Sequence, residues 1–443
     1  MKKNYLRLAV PIAASLFLMG CEAETVRQES GPVKAVVSKA HQDEIAGLAS
    51  QPSVMKALES IVQQRALNLK QHIELTEIPA PPFGEEVRAA RFAEMLKEAG
   101  ISDISIDEVG NVIARRKGTV GDRVVALGAH MDTVFPAGTD VKVRVDGDTL
   151  HAPGIGDNTR GLVFLLSLVR AFEAANLSTR DDVLFIGTVG EEGLGDLRGV
   201  KHLFREGGPK IDSFIGVDGG DNARLIYGAV GSHRYRVTVS GPGGHSWGAF
   251  GLANPHHALG RIIQDFAVSG PAVTSKGPKT SFSVGRIGGG TSVNSIPFES
   301  WMEVDMRSGN QAKLDEIDAA FRVSVDKGLA AENAARLSGP ALTVELKQVG
   351  DRPAGLGDAN GAIVQRAVAA MKAVGIEATL GISSTDASIP ISQGLPAVTI
   401  SRGGEVQNSH SPDESWRDEK SHEAIQYGLL LLLAEAGLET STQ

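Results

Sequence analysis

Apolar residues recur at helical spacing over residues 54–75 and again over 84–99, separated by the proline-rich stretch Ile78-Pro79-Ala80-Pro81-Pro82. The second run opens with Glu85-Glu86 and stops at Gly100, both favourable helix-end signals. Short β-rich runs follow at 104–107, 112–115 and 123–129, and Asp146-Gly147-Asp148 has hairpin-turn chemistry. Residues 160–175 predict a strongly apolar helix, and 182–189 and 214–217 predict buried strands. Strands alternating with helices in this way point to an α/β sheet covered on both faces.

The pattern changes near Gly231. Residues 234–240 alternate as a half-exposed strand, 255–266 read as a helix, 280–287 and 299–306 as strands, 312–337 as a helix and 342–349 as a strand. That β-α-β-β-α-β order is the one found in ferredoxin-like α+β units. The α/β pattern then returns with a helix at 362–374, a strand at 397–400 and a helix at 421–436. The economical reading is one α/β domain, split into residues 46–229 and 350–443, with a smaller α+β domain inserted at 230–349.

Composition narrows the classes. The chain has 443 residues, enough for two domains with ample cores, and 42% of them are hydrophobic. No internal apolar run is long enough for a transmembrane helix. Forty-four basic residues against 53 acidic ones give a net charge of −9, which disfavours a nucleic-acid partner held through phosphates. No Walker-type phosphate loop is present, and Gly288-Gly289-Gly290 reads as a hairpin or loop.

The first 20 residues read as a secretory signal. Lys2, Lys3 and Arg7 precede a short apolar stretch, and Leu18-Met19-Gly20-Cys21 resembles a bacterial lipobox. Cys21 is the only cysteine and is expected to carry the lipid. The protein is therefore expected on the periplasmic side, anchored in a membrane, with residues 21–45 as a polar tether. An ordinary cleaved secretory signal is the alternative.

The candidate chemistry is carried by His130 with Asp132, by Asp157, by the pair Glu191-Glu192, by Asp218 and by His410. Imidazoles and carboxylates suit Zn²⁺ or a similar divalent ion, one carboxylate can bridge two ions, and the second glutamate of a pair is left free to handle a proton. Three of these groups follow predicted strands directly, on the rim where open α/β sheets bind ligands. Taken singly, Asp157 could be a helix cap, Glu191-Glu192 an acidic turn and Asp218 a turn former. Their convergence on one rim favours a metal centre. His151, His256 and His257 read as surface or capping residues, and Trp301 as core.

At this level of detail the chain resembles the dinuclear zinc metallopeptidases that include glutamate carboxypeptidase, peptidase T, aminoacylase, acetylornithine deacetylase and succinyl-diaminopimelate desuccinylase. The resemblance covers about residues 67–433 and rests on His130-Met131-Asp132, Gly156-Asp157-Asn158, Gly190-Glu191-Glu192, Gly243-Gly244-His245-Ser246, Asn294-Ser295-Ile296-Pro297, Asp305-Met306-Arg307 and Ser409-His410-Ser411. It implies a zinc-peptidase-type sheet flanked by helices, with the inserted ferredoxin-like unit as a lid or dimerisation domain. It also implies two zinc ions bridged by Asp157, with cobalt or manganese as substitutes. One ion takes His130 and Asp218, the other Glu192 and His410. Asp132 orients the His130 ring, and Glu191 is the general base and acid.

Further implications of the resemblance concern substrate and partners. His245 is expected to reach a partner subunit's site to stabilise an oxyanion, through a homodimer formed by the lid. Asn294 and Arg307 are expected to grip the substrate. Ser384, Thr385 and Asp386 fall near the pocket without an assigned role. The family often has a cis peptide after the bridging Asp, and here Asn158 stands where a second Asp is more frequent. An exopeptidase for short peptides is the leading expectation, because residues 154–161 and 191–198 look closest to the tripeptidase-like branch. An N-acyl-amino-acid amidohydrolase and a non-catalytic lipoprotein that binds peptide or metal are the alternatives.

Overall fold

The computed structural model describes residues 37–439, so the signal segment and Cys21 lie outside the described residues. The last part of the expected tether is a helix instead, Lys39–Ala49. Its Ile45 is buried in the main core, and its Glu44 pairs with Arg366 of the Ala362–Ala373 helix at 2.9 Å. One well-placed apolar residue in a polar segment is too faint a pattern to announce that docking.

The main sheet has nine strands. At its centre Asp182–Thr188, Val124–His130, Ser213–Val217 and Ala397–Ile400 lie side by side and parallel. Every residue of these four strands is buried. Alternate residues feed opposite cores. Val125 and Leu127 pack with the Thr159–Ala175 and Ser421–Ala436 helices, while Val124 and Ala126 pack with Leu203, Ile211 and Ile391 on the other side. A sheet covered on both faces explains why its strands read as continuous apolar runs.

Three strands of this sheet were not anticipated, among them the short Gly355–Leu356, which pairs antiparallel with Arg224–Ala229. Arg224–Ala229 runs antiparallel to Ala397–Ile400, and Thr379–Ser383 pairs with it in parallel. Thr379–Ser383 is a half-exposed strand interrupted by Gly381, a weak strand signal. The expected single helix over 54–75 is two helices, Pro52–Gln63 and Arg65–Thr76. Between them Gln64 accepts hydrogen bonds from Ser167 and Arg170, so the bend lets both helices follow the Thr159–Ala175 helix.

The inserted segment forms its own sheet, in the order Thr280–Gly289, Glu299–Ser308, Gly231–Ser240, Thr343–Arg352, all antiparallel. Helices Pro255–Ser269 and Gln311–Ala335 complete the anticipated β-α-β-β-α-β order. Val237, Ile262, Phe266 and Phe321 lie in a core separate from that of the main sheet. Trp301 is not in that core. It is half-buried on the strand's other face, with the Arg236 guanidinium 4.0 Å from its ring centre. The strand Thr343–Arg352 continues past the expected boundary at 349 and carries Arg352 towards the main sheet's rim.

Candidate metal centre

The four parallel central strands end on one rim and deliver His130, the Glu191-Glu192 loop, Asp218 and the segment leading to His410. Asp157 arrives from a loop that opens the Thr159–Ala175 helix. This loop is held by Glu414, fully buried, whose carboxylate accepts the backbone N–H groups of Gly154, Gly156 and Asp157 at 2.8–2.9 Å. The peptide between Asp157 and Asn158 is cis. The helix cap is Asn158 rather than Asp157, its side chain accepting from Gly161 N and donating to Val217 O. Asp157 is thereby left free of capping.

The Glu191-Glu192 loop is fixed just as firmly. Val189 N donates to Asn111 Oδ1, and Gly190 N to Glu85 Oε1, with Glu85 itself gripped by both terminal nitrogens of Arg198. Glu191 N and Glu192 N donate to the two carboxylate oxygens of Asp132 at 2.9 and 2.8 Å. Asp132 therefore holds this loop while its carboxylate also faces His130. The His130 ring is held by the Asp132 backbone carbonyl, 3.0 Å from Nδ1, with the carboxylate at 3.6 Å. Gly190 has φ +64, and a Cβ there would collide with Arg198. Such preorganisation keeps a site rigid at no cost during reaction.

The donors then converge. His130 Nε2 is 3.2 Å from Asp157 Oδ1, and His410 Nε2 is 3.2 Å from Asp157 Oδ2 and 3.0 Å from Glu192 Oε1. Donor atoms of His130, Asp157 and Asp218 lie within 4.8 Å of one another, and so do those of Asp157, Glu192 and His410. Asp157 belongs to both of these groups, and a third set, His130, Glu191 and Glu192, closes within the same distance. His130 and Asp132 are buried, whereas the His410 side chain is 53% exposed.

The electrostatics fit a cation. Burial works against a charged His130, but Asp132 and Asp157 outweigh it and raise the imidazole well above its ordinary value. Hydrogen bonds to Asp157 and Glu192 raise His410 to about 10. Burial and the neighbouring Asp157 push the Asp218 carboxyl up. Burial likewise pushes Glu191 well above the usual carboxylate range, with Arg352 opposing and Glu192 adding. Crowded carboxylates that raise both imidazoles make a donor set suited to a divalent ion.

Several residues of the site were not singled out from sequence. Arg352 donates to Glu191 Oε1 at 3.1 Å and to the Glu191 carbonyl, tying the inserted unit's last strand to the loop. Arg402 contacts Asp157 and Asp218, and Glu414 holds the Asp157 loop. Arg402 follows a rim strand by two residues, and Glu414 follows His410 by four, so position was the signal that could have found them. Thr188 donates to the buried Asp386, which burial pushes up to about 6, and Thr385 joins the cavity wall.

A cavity of about 390 Å³ opens over the centre, bordered by Asp157, Glu191, Glu192, Asp218 and His410 and by Arg224, Arg234, Arg307, Arg352 and Arg402. His245 and Asn294 do not line it. They lie together on the inserted unit, where Gly244–His245 pairs with Ser295–Ile296 and Ser246 N donates to Asn294 O.

Residues 126–434 match the model of Peptidase family M20/M25/M40. The chain belongs to that family. Among its relatives, carboxypeptidase G2 of Pseudomonas sp. is 26% identical over 367 residues, spanning 79% of this chain and 81% of that protein. N-acetylcysteine deacetylase of Bacillus subtilis is 26% identical over 280 residues, spanning 60% and 71%. Aminopeptidase PepT from Bacillus cereus has the same fold, with a TM-score of 0.65 over 83% of this chain and 97% of that one at 18% identity. As a member of the M20 family the chain is a hydrolase of peptide or amide bonds, and its His, Asp and Glu cluster is the place where a metal could bind.

Proposed function

We propose that this chain is a zinc-dependent exopeptidase for short peptides, with Glu191 as general base and acid. The carrying observation is the convergence of His130, Asp157, Asp218, Glu192 and His410 into two donor groups that share Asp157. His130 and Asp218 would complete one ion's ligands, Glu192 and His410 the other's. When bound, the ions supply a Lewis acid and a water that ionises near neutral pH. Glu191 lies beside the ligand Glu192 but belongs to the cavity wall, and Arg352 occupies its Oε1. Oε2 is therefore the oxygen that takes the proton of the attacking water and returns it to the departing amine nitrogen. A carboxyl raised by burial suits that double duty.

Arginines set the chemistry of the pocket wall. Arg234 and Arg307 share Asp305, and Arg224 has no carboxylate within ion-pair distance among the described residues. Arg307 and Arg224 are placed to receive a substrate carboxylate, for which the guanidinium fork is well matched. His245 and Asn294 do not border the cavity within one chain. Exposed Trp247, Phe250, Val293 and Phe298 near them fit the reading in which the inserted unit pairs with a second copy, placing His245 in the partner's site.

The second reading is an N-acyl-amino-acid amidohydrolase with the same centre, favoured by the deacetylase relative. Assays on short peptides and on N-acetyl amino acids separate the two. Turnover of the latter alone rejects the exopeptidase. For the mechanism, Glu191→Gln should lower kcat by about 10²–10⁴-fold while zinc content stays unchanged. Undiminished turnover would remove Glu191 from the mechanism, and an inactive parent protein would revive a binding role.

A further inference from the structure

Arg402 reaches the candidate metal centre beside Asp218. Its backbone N–H donates to Gly219 O at 3.2 Å, which pins it beside the rim, and its side chain is 3% exposed. Nη1 donates to Asp157 Oδ1 at 2.8 Å and to Asp218 Oδ1 at 2.9 Å, while Nε has no acceptor. A guanidinium withdrawn from water stays where carboxylates neutralise it. Arg402 has no other ion-pair partner among the described residues. It is thus a resident cation held by the same oxygens a metal ion would use.

The two donor groups feel it unequally. In the group of His130, Asp157 and Asp218, both carboxylates are shared with Arg402. In the group of Asp157, Glu192 and His410, only Asp157 is, and Glu192 meets no arginine. Like charges a few ångströms apart in a buried site repel strongly.

Building on the metal-centre reading, we infer that Arg402 makes the centre load in two unequal steps. The group of Asp157, Glu192 and His410 takes the first ion firmly. The group of His130, Asp157 and Asp218 takes the second more weakly, against the fixed charge of Arg402. At low free metal the protein then holds one ion, and the second marks the fully assembled centre.

The experiment is calorimetric titration of the chelator-stripped protein with Zn²⁺, paired with elemental analysis after dialysis against buffered free zinc. Wild type should show two steps separated by at least about tenfold in Kd. Arg402→Met removes the charge and keeps the apolar stem, and should tighten the weaker step by at least about tenfold. Arg402→Lys keeps the charge and should preserve two separate steps. Circular dichroism melts of the stripped variants show whether they are folded, and Arg402→Gln replaces the Met variant if that one is not. Two equal steps in wild type, or a gap unchanged in Arg402→Met, would overturn the inference and leave the metal centre standing. No zinc uptake by wild type would overturn both.

Discussion

The main sheet and the inserted unit solve the same packing problem in opposite ways. All seven residues of Val124–His130 are buried, whereas Glu299–Ser308 alternates, one face on the core and the other half open. A polar residue at the end of a doubly covered strand is forced into company, because an unpaired buried charge is costly. His130, Asp132 and Asp218 accordingly sit in a dense network. On the inserted unit, His245 and its neighbours face solvent, so any chemistry they perform needs something else to cover them. Burial builds a site within the chain, and exposure leaves one to be completed from outside.

Hollowing each core in turn should affect the two regions differently. Phe164→Ala and Phe321→Ala remove fully buried rings from the main and inserted cores, and each should cost about 3–5 kcal/mol. Phe164 lies in the helix that opens at Asn158, so its loss should also weaken zinc uptake. Phe321→Ala should leave zinc uptake intact. Denaturant melts with zinc stoichiometry read both effects, and equal zinc loss in the two variants would erase the distinction.

Next in size is His245→Ala. On the proposal that a second copy supplies it as an oxyanion donor, the substitution should lower kcat by about 10²–10³-fold with metal content and stability unchanged. Sedimentation analysis should show a dimer. A monomer that loses no activity on this substitution would make the exposed patch irrelevant to catalysis.

How far the sequence was legible follows the same divide. The central strands announced themselves through unbroken apolar runs, and the clustering of His, Asp and Glu at strand ends followed from where a parallel sheet binds. The six-element order of the inserted unit was equally plain, since alternation marks half-exposed strands. Arg402, Arg352 and Glu414 were not legible. Each is a charged residue whose burial depends on segments far away in the chain, and only the positions of Arg402 after a rim strand and of Glu414 after His410 set those two apart from surface charges. The Lys39–Ala49 helix escaped for the converse reason, showing one buried residue in a polar stretch.

The smallest effect concerns pH. His233 of the inserted unit has Asp318 at 3.7 Å and Asp351 at 3.5 Å, and Asp318 chiefly raises its value above that of a free histidine. A raised value means that the stabilisation is complete below the unfolded histidine's pKa of about 6.5. It is lost as pH climbs through the higher folded value. Compared with His233→Gln, wild type should therefore gain up to about 1 kcal/mol at pH ~5.5 over pH ~9, measured by urea unfolding. A difference independent of pH would dismiss the pair.

Where metal binds decides between a catalytic centre and a bare cluster of charges. Anomalous scattering at the zinc edge from crystals grown in saturating zinc should show two peaks sharing Asp157, one beside His130 and Asp218 and the other beside Glu192 and His410. Zinc found only elsewhere, with these side chains still joined to one another and to Arg402, would contradict the catalytic centre.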